Sequence, residues 1–537
     1  MRDEAFDYVI VGAGSAGCVL AARLSASPGT RVALVEAGGE DEGEDFTIPF
    51  GAVNLLGSPS DWGYSTVEQP GLTGRSVYWP RGKVLGGSSS TNFQMWVPGH
   101  RRDYAAWEEA AGPDWSWEAV RPYYRRTERW SGRPEQGRAY GTGGPLWISP
   151  PRDPDPSTAR FLEACAELGL PPITGGLDGT DDAGATLTPL NQLRGARWSA
   201  ADGYLRPARD RENLSVFTGE TVHRVLLEGG RATGVQLSDR RLTAHREVIL
   251  CAGTVGSPQL LMLSGIGDPD ELRGAGVEPR VALSGVGRNL HDHVGLDVVV
   301  KAARPMRLAD ADTPAHRRMY EEDRLGPLTS NMTEAVAFLR ADGADGPPDL
   351  ELIWAPVAFT DDSPHGTDGL TVAVVLLQPD SRGRITLNDA DPSGPPLIDP
   401  GYLTAQADLD TFVAGVRFAE RLFETRALRP LVDGPPDTLD AAAPARTVRE
   451  RAQTLFHPVG TCRMGRADEG AVVDSRLRVH GVEGLRVADA SVIPRVTRGH
   501  THAPAVMIGE RAAEFVMRDA LSQPSHGSVR IPPLPED

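Results

Sequence analysis

Two segments in the last quarter of the chain hold the side chains best suited to move a proton. Phe456-His457-Pro458-Val459-Gly460-Thr461-Cys462-Arg463-Met464-Gly465 sets His457 beside Pro458 and Gly460. Gly499-His500-Thr501-His502-Ala503-Pro504 opens an apolar stretch that continues to about Arg518. An imidazole of ordinary pKa, about 6.5, is neutral at neutral pH and can accept a proton from a hydroxyl. Pro504 suits the first turn of a helix. His502 and that helix N-terminus would then face whatever docks there, and the positive end of the helix would stabilise negative charge developing on an electron-accepting ring.

A second kind of chemistry is written at the other end. Asp7-Tyr8-Val9-Ile10-Val11-Gly12-Ala13-Gly14-Ser15-Ala16-Gly17 reads as a strand, a G-x-G-x-x-G turn and the start of a helix. Arg31-Val32-Ala33-Leu34-Val35 follows as a second strand and ends at Glu36-Ala37-Gly38. This is the arrangement that binds an adenine dinucleotide. Gly12 makes the tight turn, Gly14 lets backbone approach a pyrophosphate, and Gly17 lets the helix pack on the sheet. The helix N-terminus offers free N–H groups to phosphate, and Glu36 can accept hydrogen bonds from ribose hydroxyls.

Further segments fit a large ligand. Arg81-Gly82-Lys83-Val84-Leu85-Gly86-Gly87-Ser88-Ser89-Ser90-Thr91-Asn92 can lie flat against one, offering N–H and hydroxyl groups at close range. Val248-Ile249-Leu250-Cys251-Ala252-Gly253 reads as a buried strand, with a helix expected to begin at Ser257-Pro258. Among the twelve histidines, His291-Asp292-His293 has H-x-H metal spacing. Without a clear third ligand it reads as structural, and no metal is expected.

The elements that position these residues belong to more than one core, since 537 residues exceed one ordinary domain. The net charge of −18 argues against nucleic acid as partner. Cys18, Cys165, Cys251 and Cys462 are scattered, with no C-x-x-C, which suits a reducing, cytoplasmic setting. The N-terminal apolar run follows Asp3, Glu4 and Asp7 and does not read as a signal peptide; no stretch approaches a membrane span. Residues 38–60 read as a connecting loop, 131–158 as a Gly/Pro-rich boundary and 305–325 as a charged surface segment. Leu214–Phe217, Val222–Leu227, Ala232–Leu237 and Arg246–Leu250 suggest a meander. A second β-rich block has runs Glu334–Leu339, Leu350–Trp354, Leu370–Leu377 and Arg384–Leu387. Helical spacing marks Ala159–Leu168 and the stretch 404–430, and the Ser/Pro-rich tail 523–537 is expected to be mobile.

Taken together, the 253–267 stretch, the 82–92 loop and the His457 and His502 segments resemble the glucose–methanol–choline (GMC) oxidoreductases, alcohol- and choline-dehydrogenase-like flavoproteins, over nearly the whole chain. The resemblance implies an α/β fold in which a Rossmann-like FAD-binding domain is interleaved with a substrate domain containing an antiparallel sheet. The expected division is 1–155, 195–305 and 450–522 for FAD, and 156–194 and 306–449 for substrate. By motif match, Gly12, Gly14, Ser15, Glu36 and Ala37 hold the adenosine and pyrophosphate side. Arg81, Gly82, Val84, Gly87, Asn92 and Met95 line the cofactor, and Val222 touches adenine. Ala252, Gly253, Asp489, Ala490, His502 and Pro504 complete the expected site.

The cofactor is expected to be non-covalent, because Thr91 stands where some members carry a histidine linked to FAD. Pro98 stands where Arg is common, and His500 where Asn is common. The implied reaction is oxidation of an alcohol to the aldehyde or ketone by hydride transfer to the flavin N5, with His457 as base and His502 as hydrogen-bond partner to the alcohol oxygen and the flavin edge; the reverse assignment stands as its alternative. A pocket lined by Phe93, Trp96, Trp354 and Phe359 would suit an apolar or aromatic alcohol. O2 and a quinone-like carrier are both open as electron acceptor. The competing functions are a nicotinamide-dependent dehydrogenase and a non-redox flavin-containing lyase.

Overall fold

The computed structural model describes residues 2–180, 183–360, 363–436, 440 and 442–522. The tail expected to be mobile, 523–537, lies outside the described residues. Two large sheets carry the architecture.

The first begins with the strand Arg2–Val11, which pairs in parallel with Val32–Val35 on one side and with Arg240–Leu250 on the other. Val9, Ile10, Val32, Ala33 and Leu34 are fully buried. Such continuous apolar runs are what a parallel strand covered on both faces requires. Leu214–Phe217 adds in parallel to the far edge of Val32–Val35, so it is not part of the expected meander. The meander is instead Arg224–Glu228, Arg231–Gln236 and the first half of Arg240–Leu250. The second half of that long strand turns to Leu485–Val487 as a parallel partner. One strand thus supports an antiparallel hairpin at its start and a ligand-binding edge at its end.

The second sheet is antiparallel throughout. Its order is Gln453–Thr454, Val294–Lys301, Gly369–Leu376, Leu350–Ala355, Ala335–Leu339, Gly184–Leu187. The expected boundaries at 305 and 450 put Val294–Lys301 and Gln453–Thr454 with the nucleotide-binding part, whereas hydrogen bonding puts both in this sheet. The long strand that enters the second sheet begins at Val294, before the expected boundary at 305. Arg384–Thr386 pairs only with Leu397–Asp399, in a separate hairpin.

Two helices cover one face of the second sheet. Gln406–Glu424 packs so closely that a Cβ on Gly415 would come within 2.8 Å of Val374 and 2.9 Å of Leu350. Pro156–Glu167 starts with Asp155 accepting from the Ser157 N–H at 2.8 Å, a side-chain cap that satisfies a free N–H of the first turn. It sends Phe161 onto the Trp354 ring at 5.1 Å. Residues 305–325 contain the helix Pro314–Asp323, whose Tyr320 is buried.

The helix expected to begin at Ser257-Pro258 begins at Gly253 and runs to Leu263, with Pro258 inside it. A proline there leaves the carbonyl four residues back without its helical donor. The Thr461 hydroxyl supplies one, donating to the Thr254 carbonyl at 2.7 Å. A side chain remote in sequence therefore lets the helix start a turn early. Thr461→Val keeps the shape and removes the donor. It should destabilise the fold by about 1–3 kcal/mol, the cost of a stranded buried carbonyl. An unchanged urea or thermal midpoint would show that Thr254 has another partner.

Candidate active site

In an open sheet with parallel strands, ligands bind beyond the carboxyl ends of the strands. Here the chain leaves Val11 at Gly12, Val35 at Glu36, Leu250 at Cys251 and Val487 at Ala488, all on one edge. A cavity of about 1650 Å³ opens there and extends to the second sheet. That exceeds the roughly 300–1,000 Å³ of a small-ligand site and leaves room for a dinucleotide and a substrate.

At the nucleotide end, Gly12 has φ +99°, and a Cβ would strike the Cys251 carbonyl at 2.4 Å. A Cβ on Gly14 would meet nothing within 4 Å, so the cavity reaches this backbone directly. A Cβ on Gly17 would lie 1.9 Å from the Gly12 carbonyl oxygen, so this glycine protects the turn as well as the helix packing. Ser15 and Ala37 line the same end. Glu36 lies beneath, accepting from the Ala13 N–H at 2.8 Å and the Gly38 N–H at 2.9 Å. Burial pushes its carboxyl up to about 7, against those two bonds. Each oxygen keeps a lone pair for a further donor.

The 81–92 loop is fastened to the fingerprint turn. Gly86 N–H donates to the Ala13 carbonyl at 2.8 Å, and Gly87 lies so near Gly14 that a Cβ would come within 2.7 Å of it. Arg81, Gly82, Gly87, Asn92 and Met95 line the cavity. Val84 does not: it is fully buried, its peptide bridged to Gly39. Asn92 is fixed by Arg197, whose Nη1 donates to its backbone carbonyl at 2.6 Å and to its side-chain oxygen at 3.0 Å.

Val222, Ala252, Gly253, Asp489 and Ala490 also line the cavity. Asp489 accepts from Gly253 N–H at 2.9 Å, the Ser257 hydroxyl at 2.5 Å and Ser491 N–H at 2.8 Å, and burial pushes its carboxyl up. Pro504 stands in the first turn of the helix His502–Ser522, where expected, but is buried away from the cavity wall; Thr501, His502 and Ala505 face it.

The other end of the cavity holds a cluster of imidazoles. His457 is half-buried on the cavity wall, with its N–H donating to Asp292 Oδ1 at 2.7 Å. Its Nδ1 lies 3.0 Å from His293 Nδ1, and His293 Nε2 lies 3.0 Å from the Leu377 carbonyl. A carbonyl only accepts, so His293 carries its proton on Nε2. Burial, then the His500 charge, pulls His293 down to about 3, hence neutral, against the Leu377 and Thr497 carbonyls. Its Nδ1 is therefore an acceptor, and His457 Nδ1 must be the donor. The lone pair of His457 is left on Nε2. Burial, then His500, His293 and Arg81, pull the His457 pKa well below its ordinary value.

His502 lies opposite, its Nδ1 2.9 Å from Ser15 Oγ and its buried Nε2 without a partner among the described residues. Burial, with the Arg197 charge behind it, pulls its pKa down to about 3.

Two of the four expected pocket residues are displaced. Trp96 is fully buried, donates from Nε1 to Glu128 at 2.8 Å and sets its ring edge-on to His502 at 5.5 Å. It braces the histidine from behind. Trp354 points to the helix-covered face of its strand, and alternation then turns Ile353 to the cavity. Phe93 and Phe359 do line the cavity, with Ile353, Ala373 and Asp297.

His500, Glu351, His293 and Arg197 are the residues that motif reading misses. The one signal for Glu351 is a lone acid inside the apolar run Leu350–Ala355. Among the described residues, no group of three or more His, Cys, Asp or Glu is placed to share a metal ion, and no helix is long and apolar enough to cross a membrane. The open backbone at Gly14, the free lone pairs of Glu36 and the orphaned His502 Nε2 fit a flavin dinucleotide.

Comparison with known proteins agrees. The profiles of the N- and C-terminal GMC oxidoreductase domains match residues 6–295 and 379–509. An uncharacterised GMC-type oxidoreductase of Mycobacterium tuberculosis is 45% identical over 96% of this chain and 99% of its own length. An acceptor-dependent alcohol dehydrogenase of Pseudomonas putida is 38% identical over 96% of each chain. A formate oxidase of Aspergillus oryzae, described for modification of its FAD, superposes with a TM-score of 0.89 at 31% identity, over 97% of this chain and 99% of that one. This chain belongs to the GMC oxidoreductase family, and its cofactor is FAD.

Proposed function

We propose that the protein oxidises an alcohol CH–OH group to the aldehyde or ketone, with His457 as the proton acceptor. The observation that carries this reading is the hydrogen-bond chain from the Leu377 carbonyl through His293, which leaves the lone pair of His457 on Nε2. The bound flavin supplies the two-electron oxidation. Glu36 and the helix N-terminus at Ser15 would hold its nucleotide, and Asp489 orders the backbone at Gly253.

His457 takes the hydroxyl proton at Nε2. With the Ser15 hydroxyl donating to its Nδ1, neutral His502 presents Nε2–H, a donor for the alcohol oxygen as charge develops there. Phe93, Ile353 and Phe359 exclude water and favour an alcohol with an apolar or aromatic body. O2 or a quinone-like carrier takes up the electrons.

The direct test is anaerobic mixing of the yellow holoenzyme with benzyl alcohol, 1-hexanol and choline. The visible flavin band should bleach with at least one of them. A flavin that no alcohol bleaches favours the non-redox reading. Acid precipitation should leave the yellow colour in the supernatant, since Thr91 offers no ring nitrogen for a covalent bond. Colour in the pellet would refute non-covalent binding.

Glu36→Ala should weaken FAD retention through loss of charge-assisted hydrogen bonds of roughly 1.5–3 kcal/mol. The chemical step on FAD-saturated enzyme should change little. Unchanged FAD affinity would take Glu36 off the ribose.

His457→Ala and His502→Ala should stay folded and yellow but reduce about 10²–10⁴-fold more slowly. They should differ in pH dependence. A base works only when neutral, and the lowered pKa of His457 keeps it so into the acid range. Without it, the residual rate should climb with pH as hydroxide substitutes. Without His502 the loss should persist at every pH. Near-wild-type reduction by His457→Ala in anaerobic stopped-flow would remove this histidine from the mechanism.

A further inference from the structure

His500 and Glu351 have no part in the reaction as assigned so far, yet they form the most enclosed acid–base pair beside it. Glu351 lies on the strand Leu350–Ala355 with a side chain that is 0% exposed; that of His500 is 7% exposed. His500 Nε2 is 3.1 Å from each of the two Glu351 oxygens. Among the described residues no other side chain hydrogen-bonds that carboxylate. The backbone holds the histidine too, since His500 N–H donates to the Val97 carbonyl at 2.8 Å. Its ring centre is 4.5 Å from that of His457, tilted by 56°. Contact is therefore face to ring and not through a shared proton.

The charges around the pair can be enumerated. Strand Leu350–Ala355 contributes Glu351, the 291–293 segment contributes Asp292 and His293, the 456–460 segment contributes His457, and Arg81 acts on His457 from the cofactor loop. Arg498 is engaged by Asp103 and by the Pro348 carbonyl, so it does not serve Glu351. Asp292 has its own donors in the Thr454 and Tyr402 hydroxyls, each at 2.6 Å, and in His457 N–H. Among the described residues, Glu351 has only His500 as a side-chain donor. An ionised carboxylate fully out of water costs several kcal/mol unless a partner carries the opposite charge. His500 Nε2, at 3.1 Å from both Glu351 oxygens, is the group placed to carry that charge.

We propose that Glu351 and His500 form a buried carboxylate–imidazolium pair that acts through His457, its positive ring denying His457 a second proton in the resting enzyme. His457 then meets the alcohol as a neutral acceptor. His500 and Glu351 are positioning residues in this scheme, and the value of the pair rests on the reading of His457 as base. The cost is a weaker base; the gain is a base free at every encounter. An asparagine at 500, the residue common in the family, could orient His457 but could not carry the charge.

The test is a pH titration of holoenzyme labelled with ¹⁵N-histidine, comparing wild type, Glu351→Gln and His500→Asn by two-bond ¹H–¹⁵N spectra. In wild type the His500 nitrogens should both be protonated between about pH 6 and 8, and His457 should stay neutral throughout. In Glu351→Gln, His500 should lose its charge within that range, and the midpoint of His457 should rise by about one pH unit or more, tenfold in proton affinity. His500→Asn should raise it likewise, and it serves if the glutamine variant fails to fold. Neutral-imidazole signals from His500 across the range, or a His457 midpoint unmoved in both variants, would overturn the proposal. A merely structural contact would lower thermal stability without moving that midpoint. Because the titration is read without substrate, it judges the pair even where His457→Ala has removed the base assignment.

Discussion

The carboxylate of Asp292 ties together parts of the chain that lie far apart in sequence. Its Oδ2 accepts from the Thr454 and Tyr402 hydroxyls, and its Oδ1 accepts from the His457 amide. Tyr402 in turn accepts from Trp79 Nε1 at 2.7 Å. Burial pushes this carboxyl up, while those donors and the Arg81 charge hold it down. A buried acid with every oxygen occupied is costly to disturb, because each donor it lost would leave an unmet partner in a low-dielectric interior. The position of His457 is therefore fixed by a network spanning residues 79 to 457. The H-x-H spacing that could suggest a metal serves a different purpose: Asp292 anchors the backbone of His457, and His293 sets its proton.

The two sheets divide the work according to their hydrogen-bonding geometry. A parallel sheet ends all its strands on one edge, where free backbone groups and helix N-termini collect. The helices Ser15–Leu24 and His502–Ser522 both start on the cavity, and the Ser15–His502 hydrogen bond ties one start to the other. They also run close together, since a Cβ on Gly509 would come within 2.9 Å of the Ala16 carbonyl. The antiparallel sheet has no such edge and contributes a wall. One face is taken by the helices Pro156–Glu167 and Gln406–Glu424, and the other supplies Ile353, Ala373 and Asp297 to the cavity.

How much of this is legible in sequence follows from how local each feature is. The glycine fingerprint, Glu36 and the 81–92 loop depend on spacings of a few residues, and the structure puts nearly all of them on the cavity. Which face of a strand is inward is harder to read when both faces are buried. Leu350–Ala355 is buried at every position, so burial alone does not distinguish Trp354 from Ile353. Pro258 is an ordinary helix-start signal that a distant hydroxyl, Thr461, overrides. Partners such as His293 for His457 and Glu351 for His500 are more than a hundred residues apart, and only the folded arrangement pairs them.

Phe456 shows how the site resists relaxation. Its φ of +67° is left-handed, a conformation that costs a bulky residue of order 1–3 kcal/mol. It persists because the groups around it are held. Phe456 N–H donates to the Thr454 hydroxyl at 2.8 Å, and the Phe456 carbonyl accepts from Arg81 Nη2 at 2.6 Å. Thr454 is itself bound to Asp292, and Arg81 belongs to the loop fastened on the fingerprint turn. The bend that turns His457 into the cavity is therefore maintained jointly by the substrate-side sheet and the cofactor loop. Releasing either would let Phe456 return to an extended conformation and swing the imidazole off its line to His293. Orientation of His457 and placement of the 81–92 loop thus depend on one connected set of hydrogen bonds.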